Sequence, residues 1–272
     1  MRTVLLFLLL CCTAAYSQST KPFVLGVIDE IQSQQLGEKR VLNIYLPEGY
    51  QANDTTLYPV IYLLDGGADE DFIHVSGLIQ FNSFEWINCV PKSIMVGIAN
   101  TDRKRDMSFP TSIKEDKEQY PTTGGSANFI AFIEKELQPY IQQHYKTNGT
   151  KTLIGESLGG LFATEILLKQ PQLFNKYILV SPSIWWDNGS ILQLKPAVIT
   201  QPTTIYITVG KEGKTPGHIP RVMETDAKLL YDKVKALKNT KVYYDYLPKE
   251  THATIGHQAI FNAFRVIYNT KK

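Results

Sequence analysis

Leu153-Ile154-Gly155-Glu156-Ser157-Leu158-Gly159-Gly160-Leu161 sets a serine among glycines at the centre of the chain's clearest folding unit. An apolar run enters Gly-x-Ser-x-Gly, and a helix-forming segment, Leu161 to Lys169, leaves it. That strand–turn–helix setting turns a short pattern into a nucleophile elbow. The turn forces the serine into a strained backbone conformation, and the small residues Gly155 and Gly159 keep it clear of the flanking strand and helix. Ser157 Oγ is then expected above the sheet, with the Leu158 N–H and the helix N-terminus beneath any oxyanion. The alternative is an ordinary serine in a tight Gly-rich turn, and the flanking strand and helix weigh against it.

On either side of the elbow the chain reads as further strands and helices. Phe23 to Ile28 and Arg40 to Leu46 read as strands, the second alternating and half-buried. Pro59 to Leu64 and Ser93 to Ala99 are almost wholly apolar, as strands buried on both faces are. Asn128 to Tyr145 carries a helical stripe at Phe129, Phe132, Ile133, Leu137, Tyr140 and Ile141. Beyond the elbow come strands at Tyr177 to Val180, Thr203 to Val209 and Val242 to Leu247. Helices are expected at Arg221 to Leu237 and Gly256 to Tyr268. Strands alternating with helices imply an α/β fold with a mainly parallel central sheet and helices on both faces. No repeat, low-complexity tract or linker divides the chain, so residues 18–272 read as a single domain.

In such a sheet, chemistry gathers at the carboxyl ends of the strands. After Leu64 comes Asp65-Gly66-Gly67-Ala68, where glycines let backbone approach a ligand, and the Gly67 N–H is the expected second oxyanion donor opposite Leu158. A plain β-turn is the other reading of that loop. A base must follow late in the chain. Of the five histidines, His74, His144, His218, His252 and His257, His252 lies just past the last strand and before the closing helix, the address of a base in the order Ser…acid…His. His144 has a helix-end role available to it, and His257 falls inside the closing helix. The spacing of His252 and His257 is not that of two ligands on one helical face, so no metal is expected. Glu212, after the strand ending at Val209, is the candidate acid; a solvated loop glutamate beside Lys211 and Lys214 is an equal reading. Asp226 is the weaker candidate, and a Ser–His dyad is a further option.

The chain has 272 residues, 43% of them hydrophobic, and a net charge of +2, which gives no basis for nucleic acid or a polybasic membrane contact. Arg2 precedes an apolar run, Val4 to Ala15, too short to span a bilayer and suited to a signal peptide over residues 1–17, with Gln18 as the new N-terminus. Cys11 and Cys12 hint at a lipoprotein signal, but Leu10 stands where a small residue should precede the lipidated cysteine. Export with periplasmic or secreted destination is therefore the expectation. Only Cys89 remains in the mature chain; its apolar neighbours mark it as a small buried residue rather than a catalytic thiol, and no internal disulfide is possible.

These residues carry a family resemblance. Tyr62 to Gly66, Asn100 to Asp106, Gly155 to Phe162, Ser181-Pro182-Ser183-Ile184-Trp185-Trp186 and Glu250 to Ala253 resemble the putative-esterase family of α/β-hydrolases, the group that includes esterase D and the enterochelin (iron-siderophore) esterases. The likeness covers nearly the whole mature chain. It implies the α/β-hydrolase fold and a serine esterase with Ser157 and His252 at matching positions, acting on a small-molecule ester without cofactor. The ester itself is left open among siderophore, carbohydrate and short-chain acyl compounds. Glu156 stands where a histidine is often found beside the nucleophile. Trp185 and Trp186 would wall the substrate pocket with flat apolar surface, or anchor their loop. Arg103 and Arg105 could hold a carboxylate or catecholate by forked hydrogen bonds, or form an exposed charged loop. An acyltransferase on the same fold and a non-catalytic binding protein are the rival readings; intact Ser157, His252 and Gly66-Gly67 count against the latter.

Overall fold

The computed structural model describes residues 20–53 and 55–268; the signal segment expected at residues 1–17 lies outside them. The strands are β1 (Gly26–Gln32), β2 (Lys39–Tyr45), β3 (Tyr58–Leu63), β4 (Ile94–Ile98), β5 (Thr147–Glu156), β6 (Lys176–Val180), β7 (Thr203–Gly210) and β8 (Thr240–Leu247). The helices are α1 (Phe72–Asn82), α2 (Arg103–Asp106), α3 (Lys114–Gln119), α4 (Ser126–Phe132), α5 (Gln138–His144), α6 (Leu158–Lys169), α7 (Met223–Val234) and α8 (Ile255–Ile267). A π turn, Ile133–Leu137, joins α4 to α5 without a break, so the expected long helical stripe is one helical rod.

Among the described residues the strands form one eight-stranded sheet in the order β1-β2-β4-β3-β5-β6-β7-β8. β2 runs antiparallel to β1 and β4, and every pairing from β4 across to β8 is parallel. The expected α/β-hydrolase architecture is thus present. Alternation along the strands divides the core: Leu153, Tyr62 and Val96 face a layer built from α4, α6 and α7, with Phe129, Phe162 and Leu230 buried there. Ile154, Leu63 and Met95 face the other layer, packed by Phe72 and Ile79 of α1 and by Ala259 and Phe264 of α8. No helix among the described residues is long and apolar enough to cross a membrane.

Two features place the site. β3 and β5 are parallel neighbours with Leu63 opposite Ile154, so the turn after β3 lies beside the elbow. At the elbow a side chain on Gly155 would put Cβ 2.3 Å from the Gly159 carbonyl oxygen; only glycine lets α6 start so close to its own strand. α2 is fixed from below by a buried ion network. Arg40, fully buried, pairs with Asp106 and with Glu38, and Arg105 bonds the same two carboxylates. Unpaired, the charge of Arg40 or Asp106 would be costly in the core.

Candidate active site

Ser157 joins β5 to α6 with φ 57° and ψ −117°, the strained left-handed conformation expected of a nucleophile elbow. Its hydroxyl lies 3.0 Å from His252 Nε2. His252 Nδ1 lies 2.6 Å from Glu212 Oε2. A carboxylate can only accept, so Nδ1 carries the proton and Nε2 presents its lone pair to the serine hydroxyl. The three residues come from the ends of β5, β7 and β8, and the sheet brings them together.

Glu212 is held on every side. Its carboxyl is 2% exposed; Oε1 accepts from the Ser181 hydroxyl and from the Gly210 N–H at 3.0 Å, while Oε2 takes the imidazole. Burial works to raise its pKa, but the hydrogen bonds from His252, Ser181 and Gly210 outweigh it and hold the carboxyl below the ordinary glutamate value. His252 moves the opposite way: its bond to Glu212 raises it above the ordinary histidine value, against its own desolvation. Glu224 accepts from the Glu212 and Gly213 N–H groups at 2.9 and 3.0 Å and fixes the acid's loop. The Lys211 N–H bonds the Glu250 carbonyl at 2.8 Å, tying that loop to the histidine's.

The other candidates are thereby settled by their contacts. Asp226 is buried against Arg221, with Arg221 Nε donating at 2.9 and 3.0 Å, so it does not serve His252. His74 and His257 bond each other at 3.0 Å, His144 bonds the Tyr140 carbonyl at 2.8 Å, and His218 bonds Gln119 at 3.1 Å. Among the described residues no group of His, Cys, Asp and Glu is arranged to hold a metal ion. Cys89 is free and half-buried, more open than its apolar neighbours imply.

Ser157 opens onto a cleft of about 410 Å³, bordered also by Glu156, Arg103, Asp65, Asp71 and His257. Arg103 reaches it with its guanidinium forked onto Asp65, Nε at 2.6 Å and Nη2 at 2.9 Å, and Nη2 at 3.4 Å from the Glu156 carbonyl. Arg105 does not: it is committed to Glu38 and Asp106 in the network under α2, which corrects its expected place in the substrate site. Of the two readings of the tryptophans, the anchor holds for Trp186. Trp186 is buried, and its indole N–H donates to the Phe109 carbonyl at 2.8 Å, so it anchors its loop and does not border this cleft. Trp185 is partly exposed, packed over Gly217 and edge-on to Trp186, and does not border this cleft.

Leu158 is the first residue of α6, where an N–H has no intrahelical acceptor. The Gly67 N–H is already engaged, donating to Glu70 Oε2 at 2.7 Å. Asn100 Nδ2 in turn holds Glu70 Oε1 and Asp65 Oδ1, each at 2.6 Å. The expected second oxyanion donor is therefore capped by a carboxylate. Ser181 and Ser183 were the residues missed. Ser181, with φ 43°, aims its hydroxyl at Glu212, and Ser183 Oγ lies 3.3 Å from Ser157 Oγ. The stretch that carries them, Ser181 to Trp186, was legible as a motif but assigned to its tryptophans.

A parallel sheet with a strained serine elbow and an imidazole at the serine defines an α/β-hydrolase. The family model described as "Putative esterase" matches residues 33–253, and the chain belongs to that family. It is 29% identical over 228 residues, 77% of this chain and 78% of the relative, to the ferri-bacillibactin esterase BesA of Bacillus subtilis. Among solved structures it is similar to an IroE-like serine hydrolase from Shewanella oneidensis, with TM-score 0.78, 33% identity, and coverage of 89% of this chain and 80% of that one. It is likewise similar to the BES protein from Bacillus cereus, with TM-score 0.76, 27% identity, and coverage of 93% and 99%. The chain is a serine esterase, a carboxylic-ester hydrolase.

Proposed function

We propose that the chain hydrolyses an ester bond of a siderophore through an acyl-enzyme formed on Ser157. The single observation that carries the mechanism is the hydrogen-bonded chain Ser157–His252–Glu212. His252 Nε2 takes the hydroxyl proton as Ser157 Oγ bonds to the ester carbonyl carbon. The Leu158 N–H, at the positive end of α6, is the donor to the tetrahedral oxyanion; the Gly67 N–H joins it once Glu70 lets go. Collapse breaks the carbon–oxygen bond to the alcohol, which leaves with the proton from His252. Water then repeats the sequence on the acyl-enzyme, releasing the acid and restoring Ser157. Glu212 fixes the productive tautomer and stabilises the imidazolium. The substrate class rests on the activity named for the Bacillus subtilis relative, with Arg103 as the side chain that meets the ester's polar part.

A fluorophosphonate probe should label Ser157, located by peptide mass spectrometry, and Ser157→Ala should remove both label and turnover. Retained turnover on any ester would take Ser157 out of the mechanism. Across short-chain aryl esters, feruloyl and acetylated sugar esters and siderophore lactones, the lactones should give the highest kcat/KM; a preference for sugar esters would move the substrate class. The protein is also proposed to be exported as one domain beginning at Gln18. Mass spectrometry of native material finding lipid on Cys11 or Cys12 would contradict that.

A further inference from the structure

Glu156 immediately precedes the nucleophile, and its side chain borders the cleft onto which Ser157 opens. It is half-buried. Its Oε2 lies against Gly256 at the start of α8, so close that a Cβ there would meet it at 2.6 Å. A glycine at that position leaves room for the carboxylate, and the helix N-terminus favours its ionised form. Among the described residues no donor hydrogen-bonds it. A carboxylate that closes no turn and pairs with no cation, held beside a nucleophile, has its charge left to act on the chemistry.

We propose that Glu156 is a positioning residue for His252, a second carboxylate whose charge reaches across the cleft to stabilise the imidazolium formed as Ser157 attacks; this rests on the Ser157–His252 reading above. Glu212 does the same work by contact through Nδ1, and Glu156 does it through space. Lining the cleft with Glu156 are Asp65 from the turn after β3, Asp71 and His74 at the start of α1, Arg103 from α2 and His257 from α8; His252, 3.0 Å from the Ser157 hydroxyl, and Glu212 beyond it act on Glu156 by charge. Burial, then the charges of Asp71, Asp65 and Glu212, push Glu156 up to about 7, against the pull of His252. Reciprocally, Glu156 helps to raise His252, while Arg103 opposes it. The two groups therefore titrate as a coupled pair, and the second carboxylate switches on as the pH passes neutrality.

Glu156→Gln keeps the size and removes the charge. The ratio of wild-type to variant kcat/KM should be near one below about pH 6 and rise to about three- to tenfold above pH 8, the order that one screened charge–charge interaction yields. The variant's ascending limb should also move to lower pH. A ratio that does not change with pH, whether near one or large, would overturn the proposal, since a merely structural loss has no reason to follow a titration. A measurement without that variant guards against misfolding: in Ser157→Ala protein, the His252 ring resonance should report two ionisations across the neutral range. A single-proton curve would overturn the proposal equally. Failure of the underlying catalytic reading shows elsewhere, as turnover that survives Ser157→Ala.

Discussion

Two carboxylates act on the His252 imidazole, Glu212 by contact and Glu156 by charge, and their surroundings differ more than their chemistry. Behind the ring, Glu212 is almost fully buried yet held below the ordinary glutamate value, because two protein donors and the imidazole converge on it. Glu156 is pushed up to about 7, because burial penalises its charge, its acidic neighbours add to that, and no donor answers. Burial alone does not set a carboxyl's charge; the donors supplied with the burial do.

The sharpest way to break this contrast is to remove the charge behind the ring. Glu212→Gln should lower kcat by roughly 10³–10⁴ with KM near its starting value, by analogy with triad enzymes. A loss of about tenfold or less would make the site a Ser–His dyad. A milder change makes Glu212 resemble Glu156. Ser181→Ala removes the hydroxyl that Glu212 Oε1 accepts from, and kcat should fall about tenfold, the cost of one hydrogen bond to a charged group. An unchanged kcat would reduce Ser181 to a packing role.

A third carboxylate tests whether the elbow's donors are complete. Glu70→Ala uncaps the Gly67 N–H, and kcat should rise about two- to fivefold, a small part of what a full oxyanion donor is worth. A fall would mean that Glu70 serves to shape the loop and that Gly67 is no donor. The smallest expected effects are on stability, and their signs oppose. Glu212 has a lowered folded pKa, so its ionised form stabilises the fold above the usual glutamate range and loses that contribution as pH falls through the folded value. Glu156 has a raised one, so between about 4.5 and 7 its ionisation increasingly opposes folding. At pH 8 Glu156→Gln should therefore gain roughly 2–4 °C in Tm, the yield of about 1 kcal/mol in a chain this size. At pH 4 the gain should vanish. Glu212→Gln should lose a similar amount at pH 8, and a gain there would break the contrast.

What could be read from the sequence was local. The elbow is five residues with its own strand and helix, and the buried strands announce themselves by apolar runs, so the fold and Ser157 were legible. His252 followed from chain order. α1 was not recognised, because Ser76 and Asn82 sit on its buried face and blur the apolar stripe. The fates of Arg103 and Arg105, two residues apart, are decided by Asp65 and by Glu38, the latter 67 positions away. The choice for Trp186 between pocket wall and loop anchor stayed open for the same reason: Phe109 holds it from 77 positions away. Glu212 read equally well as a solvated loop residue, because the donors that bury it, Ser181 and His252, come from other strand ends. The capping of Gly67 by Glu70 spans three residues but depends on a rotamer, which no residue pattern records.

On the proposed mechanism Ser157, His252 and Glu212 act as one unit, which a double-mutant cycle on the acid and the histidine tests. Residues of one catalytic unit are not additive. The kcat/KM of Glu212→Gln with His252→Ala should lie within about threefold of His252→Ala alone. A double variant whose loss equals the product of the two single losses would show that Glu212 acts independently of the histidine, and the triad would be contradicted.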